Sequence, residues 1–162
     1  MVFDASTLIL LAKTEILREI TQEVEAVIPE KVRSECLFKE GTDSLLISTL
    51  IKEKRIKVKK AGNADAIKKI QNDFRIGGGE AEAFWLAKGL NCPLATDDGP
   101  TIKACKVIGQ RFVTAIHFLL DLASDNRIDL PMAIAKLEKL SHYGRYNKKI
   151  IEDAMGRLKG GN

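Results

Sequence analysis

The chain has little of what would tie it to an oxidising compartment, a membrane or a zinc centre. Only three of its 162 residues are cysteines, Cys36, Cys92 and Cys105, and they form no CxxC pair and no other zinc-ligand spacing. Buried thiols in a reducing cytoplasm are the expectation. No uncharged apolar run reaches spanning length, and Asp4 puts a charge where a signal peptide needs apolar residues. Both absences point to a cytoplasmic chain with no membrane partner. The glycines Gly77 to Gly79 are not followed by the GK[ST] of a Walker loop, and a helix rather than a strand precedes them, so they make a poor nucleotide cradle. They read instead as a tight turn that starts the next helix. Aromatic residues are 6% of the chain and form no stacking series. With two histidines, His117 and His142, no Ser/His/Asp or Cys/His nucleophile set is available. His117 lies on an apolar helix and reads as a packed core residue; His142 falls in a basic loop and reads as solvated. Neither sign of charge dominates. A net charge of +4 and a pI near 8.9 tolerate a nucleic-acid partner without demanding one.

What is present is an ordinary globular composition, 45% hydrophobic and 30% charged, at a length that buries a core without disulfides. A single domain over residues 1–158 is expected, with Lys159 to Asn162 as a flexible tail. Met1 to Asp4 reads as a very short strand ending in a carboxylate, and Ala5 to Lys13 as a helix apolar nearly all round. Val24 to Ile28 reads as a second strand, closed by Pro29, which suits a helix start. Glu30 to Lys39 continues that helix, with Val32 and Cys36 inward. A helix over Ser44 to Lys52 and an edge-like strand over Arg55 to Lys59 follow. Asn63 caps a helix running to Phe74. Glu80 opens a helix with an apolar stripe through Ala81, Ala83, Phe84, Ala87 and Leu90, and Trp85 is placed in or near the core. Leu94 to Thr96 reads as a buried strand ending in Asp97 and Asp98. Gly99 to Ile108 is helical, Arg111 to Thr114 a fifth strand and Ala115 to Ala123 a further apolar helix. Two closing helices, Pro131 to Leu140 and Asn147 to Leu158, flank Ser141 to Arg145.

Alternating strands and helices predict an α/β sandwich with a mostly parallel sheet, whose working residues gather at the strands' carboxyl ends. Asp4 ends the first strand and Asp97 and Asp98 the fourth. Taken singly, each acid has a plain alternative. Asp4 or Ser6 could cap a helix, and Glu35, among Glu30, Lys31, Arg33 and Lys39, could lie on a solvated face. Together, Asp4, Glu35, Glu80, Glu82, Asp97 and Asp98 are an oxygen-only donor set that suits Mg²⁺ or Mn²⁺ better than zinc. Such an ion relieves the carboxylates' repulsion and can activate water against a phosphodiester. Lys103, Lys106, Arg145, Lys148 and Lys149 either guide phosphates or form a solvated charged surface.

The motifs DAST (Asp4 to Thr7), Pro29-x-x-Val32-x-x-Glu35, GEAEA (Gly79 to Ala83), LATDD (Leu94 to Asp98), RFVTA (Arg111 to Ala115) and the closing helices around a GRYN loop occur in one order. In that order the whole chain resembles the PIN-domain ribonucleases, the family that includes VapC-type toxins and stand-alone prokaryotic PIN proteins. It most resembles the branch with GEAEA and a double aspartate. The resemblance implies a three-layer α/β/α fold with a five-stranded parallel sheet in the order 3-2-1-4-5, and Mg²⁺- or Mn²⁺-dependent cleavage of RNA. It implies that Asp4, Glu80 and an aspartate at Asp97 or Asp98 hold the metal, that Glu35 orients the attacking water, and that Ser6 and Thr96 support the site. Glu82 stands behind them or faces solvent. A small antitoxin protein as partner and a homodimer are the further implications.

Within the family the rival is a PIN fold acting as an RNA- or protein-binding module in RNA processing. Outside it, TDDGP resembles the acidic pocket of a receiver domain, but there the acid pair ends the first strand. A haloacid-type phosphatase needs an aspartate where Ser6 stands.

Overall fold

The computed structural model describes residues 1–160. Five short strands, β1 (Val2–Phe3), β2 (Ala26–Pro29), β3 (Ile56–Lys59), β4 (Leu94–Ala95) and β5 (Phe112–Val113), form one sheet in the order β3-β2-β1-β4-β5. Every pairing is parallel; Val2 is opposite both Val27 and Leu94, and Ala95 is opposite Val113. Neighbouring strand residues point to opposite faces, yet Val2 and Phe3 are both fully buried, as are Leu94 and Ala95. Both faces are therefore covered, which is the three-layer arrangement.

The covering helices among the described residues are α1 (Ala5–Lys13), α2 (Leu17–Glu23), α3 (Glu30–Leu37), α4 (Thr42–Lys52), α5 (Ala64–Phe74), α6 (Gly78–Gly89), α7 (Gly99–Ile108), α8 (Ala115–Ser124), α9 (Leu130–Tyr143) and α10 (Lys148–Leu158). Helix α6 packs on β1, β2 and β4, while α1 packs with α3, α4, α8 and α9. Phe3 stacks on Phe118 of α8 with ring centroids 5.6 Å apart, joining the central strand to a helix of the covering layer.

Several elements differ from the sequence expectation. The sequence expectation has no counterpart of helix α2: seven residues long and starting at Leu17 after an Ile16 N-cap that supplies no side-chain hydrogen bond, it is held by burial of Leu17, Ile20 and Thr21. Strand β2 starts at Ala26 rather than Val24, and Pro29 is its last residue as well as the N-cap of α3. Helix α9 runs on to Tyr143, so His142 is helical rather than in a loop, though it is exposed as expected. His117 is the clearest correction: it faces solvent from α8 and its Nδ1 lies 2.8 Å from Thr114 Oγ1. The buried side of α8 is Ile116, Phe118, Leu119, Leu120 and Leu122, and the helical turn rotates position 117 away from it. Trp85 is half-buried. Of the expected tail, Lys159 and Gly160 form a turn after α10, and Gly161 and Asn162 lie outside the described residues. No helix among the described residues is long and apolar enough to cross a membrane.

Candidate functional site

The order 3-2-1-4-5 makes the chain leave β1 towards one sheet edge and return beside it at β4. A crevice opens at the carboxyl ends of two such strands. Asp4 follows β1 directly, and Asp97 and Asp98 follow β4. Each of the three aspartates also meets a helix N-terminus, where unpaired amides and the helix dipole stabilise a carboxylate. Asp4 caps α1, its Oδ1 accepting from the Thr7 amide at 2.8 Å. Asp98 caps α7, its Oδ2 accepting from the Thr101 amide at 2.9 Å and the Thr101 hydroxyl at 2.7 Å. Asp97 takes the place of a local cap for α8: the Ala115 amide donates to its two oxygens at 3.0 and 3.2 Å.

Asp4 is fully buried. Burial pushes its carboxyl up to about 7, against the hydrogen bonds from Thr96, Thr7 and Ser6, and the neighbouring Asp97 adds to the rise. Thr96 Oγ1 donates to Asp4 Oδ2 at 2.6 Å and Ser6 Oγ to Oδ1 at 2.9 Å. Both hydroxyls named from the sequence therefore contact Asp4. Asp97 is also raised by burial, against donors from Tyr146, Ala115 and Thr7.

A second acidic group sits on α3 and α6. Glu35 is raised by burial and by the facing Glu80, with Glu82 adding to the rise and Lys31 and the Gly79 backbone opposing it. The glycine run has a spatial explanation here. A Cβ on Gly79 would fall 2.1 Å from Glu35 Oε2, and one on Gly77 would fall 2.2 Å from Glu80 Oε2. Gly78 and Gly79 lie within α6 rather than in a turn before it. Glycine at 77 and 79 thus makes room for the two glutamates. Glu82 is half-buried and accepts from the Lys31 amide at 3.4 Å.

The acids thus stand as two groups, Asp4 with Asp97, and Glu35 with Glu80. Asp98 is beside the first, and its amide donates to Thr96 Oγ1 at 3.3 Å. Among the described residues no three His, Cys, Asp or Glu side chains already stand as a closed metal cage. The donor chemistry nevertheless fits a hard divalent ion. All donors are carboxylates, and none of Asp4, Glu35, Glu80, Asp97 or Asp98 forms a salt bridge among the described residues. Lone-pair capacity differs among them. Among the described residues Asp98 Oδ1 accepts no hydrogen bond, whereas both Asp97 oxygens are engaged.

A profile of the PIN domain matches residues 1–159. The chain belongs to the PIN-domain family. No curated protein and no solved structure matches it. PIN domains are in general nucleases that use divalent metals, so this PIN domain has a nuclease-type fold.

Three contributors to the PIN site carried no role in the sequence reading. Thr7 sits inside DAST, and its amide holds Asp4 while its hydroxyl donates to Asp97 Oδ2 at 2.8 Å. Thr101 anchors Asp98, as an N3 hydroxyl three residues after an aspartate cap suggests. Tyr146, in the GRYN loop, donates its hydroxyl to Asp97 Oδ1. Beside these acids runs a cavity of about 770 Å³ whose lining includes Ser6, Asp97, Asp98, Lys13, Arg145 and Arg157 together with the apolar Ile9, Leu10 and Leu120. Of the five basic residues singled out from the sequence, Arg145 borders this cavity; Lys103, Lys106, Lys148 and Lys149 do not. Lys148 instead pairs with Glu152 at 3.4 Å.

Proposed function

We propose that this PIN domain is a metal-dependent endoribonuclease that hydrolyses RNA phosphodiester bonds at the acidic end of its sheet. The observation that carries the reading is the set of five carboxylates, Asp4, Glu35, Glu80, Asp97 and Asp98, that form no salt bridge among the described residues in a protein of net charge +4. Burying acids without a basic partner is unfavourable unless something else neutralises them. In this reading Asp4, Glu80 and Asp98 would hold Mg²⁺ or Mn²⁺, and the Asp98 oxygen that accepts no hydrogen bond among the described residues favours Asp98 over Asp97, whose two oxygens are both engaged. An ion held there would supply acidification of a water and neutralisation of charge on the leaving oxygen. Glu35 supplies the proton acceptor: burial and Glu80 raise its affinity for a proton above that of an ordinary carboxylate, which suits general-base work near neutrality. Thr96, Ser6 and Thr7 keep Asp4 in one orientation. Lys13, Arg145 and Arg157 border the adjoining cavity and present positive charge to a phosphate backbone.

The resemblance to VapC-type toxins extends the proposal to a homodimeric toxin silenced by a small antitoxin protein in the cytoplasm. A second reading, an RNA- or protein-binding module in RNA processing, draws on the two separate acidic groups in place of one closed cage. Cleavage of a single-stranded RNA panel in Mg²⁺, Mn²⁺ or EDTA separates them. The nuclease reading expects cleavage in either metal, none in EDTA, and loss of about 100-fold or more in Glu35→Gln. RNA binding without cleavage in any metal supports the module instead.

A further inference from the structure

Tyr146 comes from the turn between α9 and α10, distant in sequence from every acid of the site. Its ring packs over Gly144, where a Cβ would fall 2.4 Å from the ring's Cε2, so the turn is built to bring the phenol inward. The hydroxyl ends on Asp97 Oδ1. Asp97 also accepts from Thr7 Oγ1 at 2.8 Å and from the Ala115 amide at 3.0 and 3.2 Å. Three donors, the Ala115 amide shared between both oxygens, thus engage both ends of a carboxylate with about four lone-pair sites. The path continues to Asp4: the Thr7 amide holds its Oδ1 at 2.8 Å, and Thr96, the residue before Asp97, holds its Oδ2 at 2.6 Å. Two of the three supports of Asp4, Thr7 and Thr96, are therefore tied, by side chain or by sequence, to the carboxylate that Tyr146 fixes; the third is the Ser6 hydroxyl.

We propose that Tyr146 is a positioning residue for the metal-dependent reaction: through Asp97 it sets the frame that aims Asp4, so the C-terminal helix pair governs ion affinity at the other end of the chain. Asp97 is the hub of this network, with Asp4, Glu80 and Asp98 left to face the ion. This rests on the nuclease reading. Residues that orient metal ligands from behind typically change metal affinity by about 10–100-fold when removed. Loss of one hydroxyl belongs at the lower end of that range.

The test is calorimetric titration of Mn²⁺ into wild type, Tyr146→Phe, Thr7→Val and Met155→Ala, with RNA cleavage followed against Mn²⁺ concentration. Tyr146→Phe keeps the ring and removes only the donor. Thr7→Val, nearly isosteric, cuts the same path at its other end, and Met155→Ala loosens α10 without touching Asp97. Wild type that neither binds Mn²⁺ nor cleaves overturns the nuclease reading before any variant is compared, and this inference with it. Given a competent wild type, both path variants are expected to weaken Mn²⁺ binding about tenfold. Half-maximal cleavage should shift to correspondingly higher Mn²⁺, with KM for RNA at saturating Mn²⁺ unchanged and Met155→Ala at the wild-type affinity. Unchanged Mn²⁺ affinity in Tyr146→Phe overturns the proposal. An equal loss in Met155→Ala also overturns it, since general loosening then explains the effect.

Discussion

At the scale of single residues, environment decides which groups are chemically available. Cys36 and Cys105 are buried, and desolvation pushes their thiols up to about 12 and about 11, so thiolate is scarce at neutral pH. Cys92 is half-buried. A thiol reagent at pH 8 should label Cys92 alone in the native protein and all three cysteines in denaturant, read by mass spectrometry. Gly79 is a second case. Alanine there suits a helix better than glycine by about 1 kcal/mol, but its methyl would displace the Glu35 carboxylate. Gly79→Ala should keep or raise the melting temperature while slowing RNA cleavage about 100-fold, the effect of removing a general base. Most candidate acids were legible from the sequence because each stands next to a strand end or helix start. His117 was misread because position 117 lies between Ile116 and Phe118, and apolar neighbours in sequence are not neighbours across a helix. Tyr146 drew no role because its partner is 49 residues away and the loop between α9 and α10 carries no pattern that names it.

At the scale of elements, strands of two residues are too short to show periodicity, and β1, β4 and β5 were recognisable mainly through what flanks them. Asp4, Pro100 with Gly109, and Ala115 before an apolar helix marked where the neighbouring helices begin and end. Helix α2 had no such marker. After α1 the chain turns at Glu15, whose φ of 58° is left-handed, and α2 then begins without a side-chain cap. Glu15 has a second task. Its Oε2 accepts from Lys136 and Lys139 of α9, each at 2.8 Å, and hydrogen bonds from these lysines pull its carboxyl down to about 2. A depressed folded-state pKa stabilises above the unfolded value and is lost as pH falls towards the folded one. Glu15→Gln should therefore destabilise the protein by about 0.5–1 kcal/mol at pH 7, the range for a solvent-screened pair. The difference from wild type should shrink below pH 4.5 and vanish near pH 2. Urea unfolding at a series of pH values measures it.

At the scale of the whole molecule, sheet order does the positioning. Placing β1 between β2 and β4 opens the crevice, and three helices then direct their N-termini at Asp4, Asp97 and Asp98. That convergence explains how carboxylates persist at a buried sheet end without a salt bridge among the described residues: backbone amides and hydroxyls hold them, partly offsetting the burial that raises Asp4 and Asp97. The sheet order was legible only through the family resemblance, since the alternation of strands and helices fixes a parallel sheet but not which strand lies at its centre. The separation of the glutamates from the aspartates was not legible at all, because it depends on where α3 and α6 cross. The most direct test of the account is single-turnover cleavage of single-stranded RNA with Mn²⁺, for wild type beside Asp4→Asn. Asparagine fits the same frame, its oxygen accepting from Ser6 and Thr7 while Thr96 turns its hydroxyl to accept from the amide, so the fold survives and the negative charge is lost. The account predicts Mn²⁺-dependent cleavage by wild type that EDTA abolishes and Asp4→Asn lacks. Cleavage by Asp4→Asn at the wild-type rate would contradict it.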